Sequence, residues 1–160
     1  MVAPLVRRSF GLARHLELVE RAWAIPLSTE LDPAAARALR SALAGIDEAC
    51  DAGPRCSAMR HALGRAHLAA SDRERARGDF LAALATAASP AEASRIAVDL
   101  VALEATLGES AVALEHARRA LALAPAPEIV RDMLRARPEL QTRQHEPAWR
   151  VLLAVDDGLP

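Results

Sequence analysis

Two stretches of equal length carry the architecture: Leu63–Leu84, LGRAHLAASDRERARGDFLAAL, and Leu100–Leu121, LVALEATLGESAVALEHARRAL. Aligned at an offset of 37 residues, Leu63-Gly64, His67, Ala76, Phe80 and Ala83-Leu84 fall on Leu100-Val101, Glu104, Ala113, Ala117 and Ala120-Leu121. A motif that returns in order and spacing is an internal repeat, and its apolar and small positions recur at the three- and four-residue steps of a helix face. Each unit is predicted to be a helical hairpin. Gly64, Ala76, Ala83, Ala113 and Ala120 let neighbouring helices approach closely, and Phe80 fills the gap between them.

Breakers and caps set the remaining boundaries. Ser71-Asp72-Arg73-Glu74 and Ser89-Pro90-Ala91-Glu92 fit the capping box, in which a Ser oxygen and a Glu carboxylate each accept a backbone N–H that the first turn leaves unpaired. From Pro90 to Leu107, Ile96, Leu100, Leu103 and Leu107 form one stripe, with Val98, Val101 and Ala105 round the rest, so this helix is expected at the centre. After Gly108 the next helix turns Leu114, Ala117, Leu121 and Ala124 inward, sets Glu115 against Arg118 and Arg119, and ends at Pro125.

Upstream, Asp32 before Pro33 supplies an N-cap and a first-turn proline for a helix reaching Cys50, with Leu39, Leu43, Ile46 and Cys50 on one face. Leu12, Leu16, Val19 and Trp23 stripe residues 9–25, which pair with it as an N-terminal hairpin. Downstream, a short helix to Ala136, a loop over Pro138–Glu146 and a last helix from Pro147 to Val155 cap the stack, with Trp149, Val151, Leu152 and Leu153 as its cover.

From Ser57 to Pro127 the chain resembles the tetratricopeptide repeat family. Leu63-Gly64, Ala76, Phe80 and Ala83 in the first unit, and Gly108, Ala113, Ala120 and the closing Pro125 in the second, stand where that family has its packing residues. The period exceeds the family's roughly 34 residues, which places the extra residues in the loop around Ser89–Ala93. His67 and Glu104 stand where an aromatic is expected, Val101 where Gly is usual, and Ala117 where a large residue belongs. The resemblance implies an all-α fold, a tetratricopeptide-like α-solenoid of antiparallel helical hairpins with about six to eight helices. Residues 1–160 then form a single domain: 9–50 a hairpin, 57–127 two repeats, 128–160 capping helices. A generic α-solenoid or an irregular helical bundle remains the alternative.

Composition fits one domain of 160 residues, rich in Ala and Leu, with an aromatic share of 2% and no sign of a strand. Twenty basic residues balance twenty-one acidic ones for a net charge of −1, which lacks the basic excess of a nucleic-acid binder. Every basic residue is Arg, and Lys and Asn are absent, a profile of GC-rich, bacterial codon usage. Arg7-Arg8-Ser9-Phe10-Gly11-Leu12 has the look of a twin-arginine signal, but Arg14, His15, Glu17, Glu20 and Arg21 interrupt any apolar run behind it. No stretch reaches membrane-spanning length, so the expected location is cytoplasmic, with no membrane partner.

Cys50 and Cys56 bracket the turn Asp51–Arg55. They read as two small thiols at helix ends, as a disulfide, or, with His61 or His67, as part of a zinc site. A disulfide would imply an oxidising compartment, periplasmic if a leader has been removed. Their spacing is wider than that of usual zinc ligands, and His61 and His67, six apart, do not share a helix face. No Gly-x-Ser-x-Gly turn occurs, and no Gly-Lys-Ser/Thr phosphate loop is possible without Lys. A thiol or zinc enzyme is thus the least favoured function, and no cofactor or metal is expected.

The resemblance implies instead a non-enzymatic adaptor or scaffold that binds a partner peptide or helix in a concave groove. Its groove-facing places correspond here to His61, Arg65, Leu68, Arg95, Val98 and Ala102, flanked by Ala58, Ala69, Ala105 and Thr106. Two guanidinium groups, Arg65 and Arg95, could clasp a carboxylate, or could be solvated surface. The runner-up is a self-associating helical scaffold: residues 89–117 hold five acids and only Arg95, while 118–150 hold seven Arg and four acids, so copies could pair into a homo-oligomer.

Overall fold

In the computed structural model of the protein, the residues described are Pro33, Ala34, Arg37 and 56–154, Cys56 by its backbone alone. They form six α-helices, α1 (Cys56–Ala69), α2 (Arg73–Ala85), α3 (Pro90–Thr106), α4 (Ser110–Leu123), α5 (Pro127–Arg135) and α6 (Pro147–Leu153), with single 3-10 turns at Pro138–Leu140 and Arg143–His145. No strand occurs among the described residues, so the all-α class expected from the Ala- and Leu-rich sequence is observed. Pro33, Ala34 and Arg37 are helical and exposed, in keeping with a helix starting at Pro33. The rest of the 9–50 hairpin lies outside the described residues.

The chain divides into two compact units, Met1–Asp79 and Phe80–Pro160. In the first, α1 buries Ala62, Leu63, Ala66 and Ala69, the turn after it buries Ala70, and α2 buries Ala76. Between these helices Ser71 takes φ 60, the left-handed region. Its N–H donates to Leu68 O at 2.9 Å and that of Asp72 to His67 O at 2.8 Å, the paired bonds of a Schellman motif that satisfy the last carbonyls of α1. Asp72 then caps α2, its Oδ1 accepting from Arg75 N–H at 3.3 Å. The expected Ser71–Glu74 capping box is therefore not formed: Ser71 is spent on ending one helix, and the cap of the next falls one residue later.

In the second unit α3 is the centre. Ile96, Val98, Leu100, Val101 and Leu103 are all fully buried, each contributing roughly 1.5–3 kcal/mol relative to exposure. Its start follows the sequence closely: Ser89 Oγ accepts from Glu92 N–H at 3.2 Å, and Glu92 Oε2 from Ala88 N–H at 2.8 Å, one residue ahead of the cap itself. Gly108, at φ 83, ends it. The N–H groups of Gly108 and Glu109 donate to Ala105 O (3.2 Å) and Glu104 O (3.0 Å), the same Schellman pair as at Ser71-Asp72 and 37 residues on. Leu107 falls in this cap and is 39% exposed, so it leaves the core stripe it was expected to complete.

α4 lays Ala113, Ala117 and Ala120 against α3, and their small side chains permit the extensive contact between the two helices. The repeat is thus expressed in burial: Leu63 and Leu100, His67 and Glu104, Ala76 and Ala113, Phe80 and Ala117, Ala83 and Ala120 are all at most 1% exposed. α5 contributes Val130 and Leu134, and α6 contributes Trp149 and Leu153. Val151, expected as cover, is 80% exposed, because a two-turn helix whose buried residues stand four apart turns it away.

Candidate functional site

Arg95, Asp99, Ala102 and Thr106 stand four, three and four residues apart on α3, which sets them in one line along the helix. The line is exposed at Arg95 and Thr106 and buried at Asp99 and Ala102 between them. Arg95 is exposed, and its Nε donates to Ala91 O at 3.3 Å. No carboxylate among the described residues lies within ion-pair distance of its guanidinium.

Beside Arg95 opens an apolar cavity of about 260 Å³. Its walls are the first turns of α3 (Ala91, Ser94, Arg95), the turn Ala124–Ala126, and Ile129, Val130 and Met133 of α5. Proline builds it: Pro125 stops α4, and Pro127 starts α5 with a fixed φ, so the chain turns sharply and leaves a recess under Ile129. Ile129 is 58% exposed, an apolar side chain at the rim. The cavity falls below the roughly 300–1,000 Å³ of sites that take whole small molecules and suits one or two apolar side chains.

Asp99 and Ala102, next along the line, are buried, and the chain's own segment 137–146 docks beside them. Arg137 Nη2 donates to Asp99 Oδ1, pairing a cation with an acid that is 3% exposed. Leu140 is fully buried in the turn Pro138–Leu140, which packs on α3. Arg143 Nη2 donates to Ala105 O at 3.2 Å, and Ser110 Oγ to Glu146 Oε2 at 3.4 Å. The stretch expected as a loop is therefore two 3-10 turns fixed along α3 by charged side chains. The acidic and basic blocks of the sequence meet here within one chain, through Asp99 and Arg137.

Of the six residues expected to face a partner, only Arg95 is exposed. In the second unit Val98 is fully buried and Ala102 is 2% exposed, so both serve packing around α3 and neither reaches a surface. In the first unit His61 is 5% exposed, and Arg65 and Leu68 are half-buried. Cys50 and the Cys56 side chain lie outside the described residues. Sequence reasoning missed Asp99, Arg137, Ile129 and Met133; the segregation of acids from arginines was the one signal that could have brought the first two together.

The first unit holds a second polar cluster. Asp79 accepts from Arg60 Nη1 at 3.0 Å and presents its other oxygen to His67 Nε2 at 3.6 Å, beyond hydrogen-bond reach. His67, expected as a surface or packing histidine, is 1% exposed, and neither ring nitrogen has a hydrogen-bond partner among the described residues. Arg75 and Gly78 border the depression of about 350 Å³ above them. A carboxylate set between a guanidinium and an imidazole ties α1 to α2 across their turn.

Among the described residues, no group of three or more His, Cys, Asp or Glu side chains is placed to hold a metal ion. None of their helices is long and apolar enough to cross a membrane. No family model, no curated protein and no solved structure matches the chain.

Proposed function

We propose that this protein is a non-enzymatic protein–protein interaction module with a tetratricopeptide-like arrangement of its hairpins, and that it takes a segment of a partner protein at the open end of α3. The observation that carries this reading is the apolar cavity bordered by Arg95 and Ile129. A recess for an apolar side chain beside a guanidinium that has no carboxylate within reach among the described residues is a pairing that a peptide bearing a hydrophobic anchor and a nearby carboxylate satisfies. Arg65 and Leu68, half-buried, belong to the same proposal for the first unit. The matching Schellman turns at Ser71 and Gly108 support a repeat of one hairpin design. Nucleic acid, a membrane, a metal and a cofactor have no part in this reading, and the proposed location is the bacterial cytoplasm.

Affinity capture from lysate, with the native protein beside Arg95→Glu and Met133→Glu, tests it. A specific protein lost with both variants, at unchanged helicity, supports the reading; a partner retained by both removes the α3 end from it. Self-association is the second reading, and Val151, 80% exposed on α6, favours it. Light scattering of the native protein and Val151→Glu decides that point: a dimer that the substitution turns into a monomer supports it, and a native monomer at all concentrations ends it.

A further inference from the structure

We infer, building on the self-association reading above, that the recess under Ile129 receives a second copy of this chain, which inserts the outward face of its α6.

α6 buries Trp149 and Leu153, four residues apart, so its opposite side carries Pro147, Val151 and Ala154, with Ala148 beside them, and all four are exposed. The outer face of a surface helix is ordinarily polar. Here residues 147–154 hold a single charge, Arg150, and Val151 stands at the middle of the face, 80% exposed. The recess has the matching character: its walls are apolar, its volume of about 260 Å³ admits an aliphatic side chain with a small neighbour, and Ile129 and Arg95 form its rim. Val151 cannot enter the recess of its own molecule. α6 packs on α4 and α5, Arg135 Nη2 donates to Leu153 O, and Val151 points away from that seat, so the recess it can fill belongs to another copy.

Charge fits the two surfaces to each other. Glu128 precedes Ile129 and Arg150 precedes Val151; both charged side chains are exposed, and neither has an ion pair among the described residues. An apolar side chain next to an anion thus meets one next to a cation. Arg95 has no carboxylate within reach among the described residues, and the sequence just past α6 supplies two, Asp156 and Asp157, which lie outside the described residues. Residues 150–157 therefore contain a cation for Glu128, an apolar side chain for the cavity and an acid for Arg95. One short helix in one recess makes a small contact, so the association is weak and depends on concentration.

Sedimentation velocity over a range of concentrations tests this on the native protein, Val151→Glu, Ile129→Glu and an equimolar mixture of the two variants. Both positions are exposed, and circular dichroism checks that helicity is unchanged. The native protein should associate as concentration rises. Each variant alone should stay monomeric, one lacking the inserted face and the other the recess, whereas the mixture should form dimers, because each variant keeps the surface the other has lost. A mixture that stays monomeric while the native protein associates overturns the inference and leaves self-association standing on other surfaces, as does an Ile129→Glu variant that associates like the native protein. A native monomer at every concentration overturns both, and the recess is then open to a segment of a different protein. Arg150→Glu should weaken association about threefold, and adding Glu128→Arg should restore it; a double variant weaker than either single one overturns the charge pairing.

Discussion

Ser71 and Gly108 occupy the same left-handed turn, at φ 60 and φ 83, each closing a helix with the same pair of backbone hydrogen bonds. Only one of them is suited to it, since a side chain in this region crowds the following carbonyl. Ser71→Gly should therefore raise stability by about 0.5–1 kcal/mol, and Gly108→Ala should lower it by about 1 kcal/mol or more. A Cβ on Gly108 meets nothing within 4 Å, so that loss is backbone strain alone. Urea midpoints measure both; an unchanged midpoint for Gly108→Ala would refute the shared-turn account.

Asp79→Ala should destabilise the first unit by about 1–3 kcal/mol, because it removes the acceptor of the Arg60 Nη1 hydrogen bond and the carboxylate that faces the buried His67 ring. Asp79→Asn keeps the shape and one acceptor, so a smaller loss is expected. Thermal unfolding of the two variants checks the order; equal and negligible shifts would mean that the cluster does not hold α1 to α2.

Ser89→Ala removes the oxygen that accepts the Glu92 N–H and should cost about 1 kcal/mol. Glu92→Ala should cost less, because the Ala88 N–H it serves is exposed and water can replace the carboxylate. Circular dichroism melts of both compare the two halves of the cap; a larger effect at Glu92 would contradict this assignment.

Asp99→Ala strips the buried acid and leaves Arg137 without its partner, whereas Arg137→Ala takes a guanidinium away from a carboxylate that is 3% exposed, the costlier case at about 3–5 kcal/mol. The double variant should be less destabilised than the sum of the two. Additive losses in the double-mutant cycle would mean that the pair does not couple.

What could be seen in the sequence was local. Ser89, Pro90 and Glu92 specify a helix start through atoms within four residues of one another, and Ile96, Leu100 and Leu103 face inward as their spacing demands. The repeat at 37 residues came through for the same reason, since burial follows helix phase. Ser71 misled because its hydroxyl fits a capping box while the backbone uses the residue as a left-handed turn. Val98 and Ala102 were expected at a surface, but α3 is buried around most of its girth. Segment 137–146, which docks beside them, has no apolar periodicity, and the Arg137–Asp99 contact depends on how the chain returns. Val151 was grouped with Trp149 and Leu153 by hydrophobicity, when helix phase alone separates it from them.

Trp149 lies wholly enclosed on α6, and its indole N–H has no acceptor among the described residues. The chain has no tyrosine and one other tryptophan, Trp23. Once Trp23 is replaced by Phe, all red-edge fluorescence originates at a single, dry indole next to the end of the chain. Its emission colour then becomes an optical gauge of whether the last helix is seated, readable in a stopped-flow cell without any attached dye.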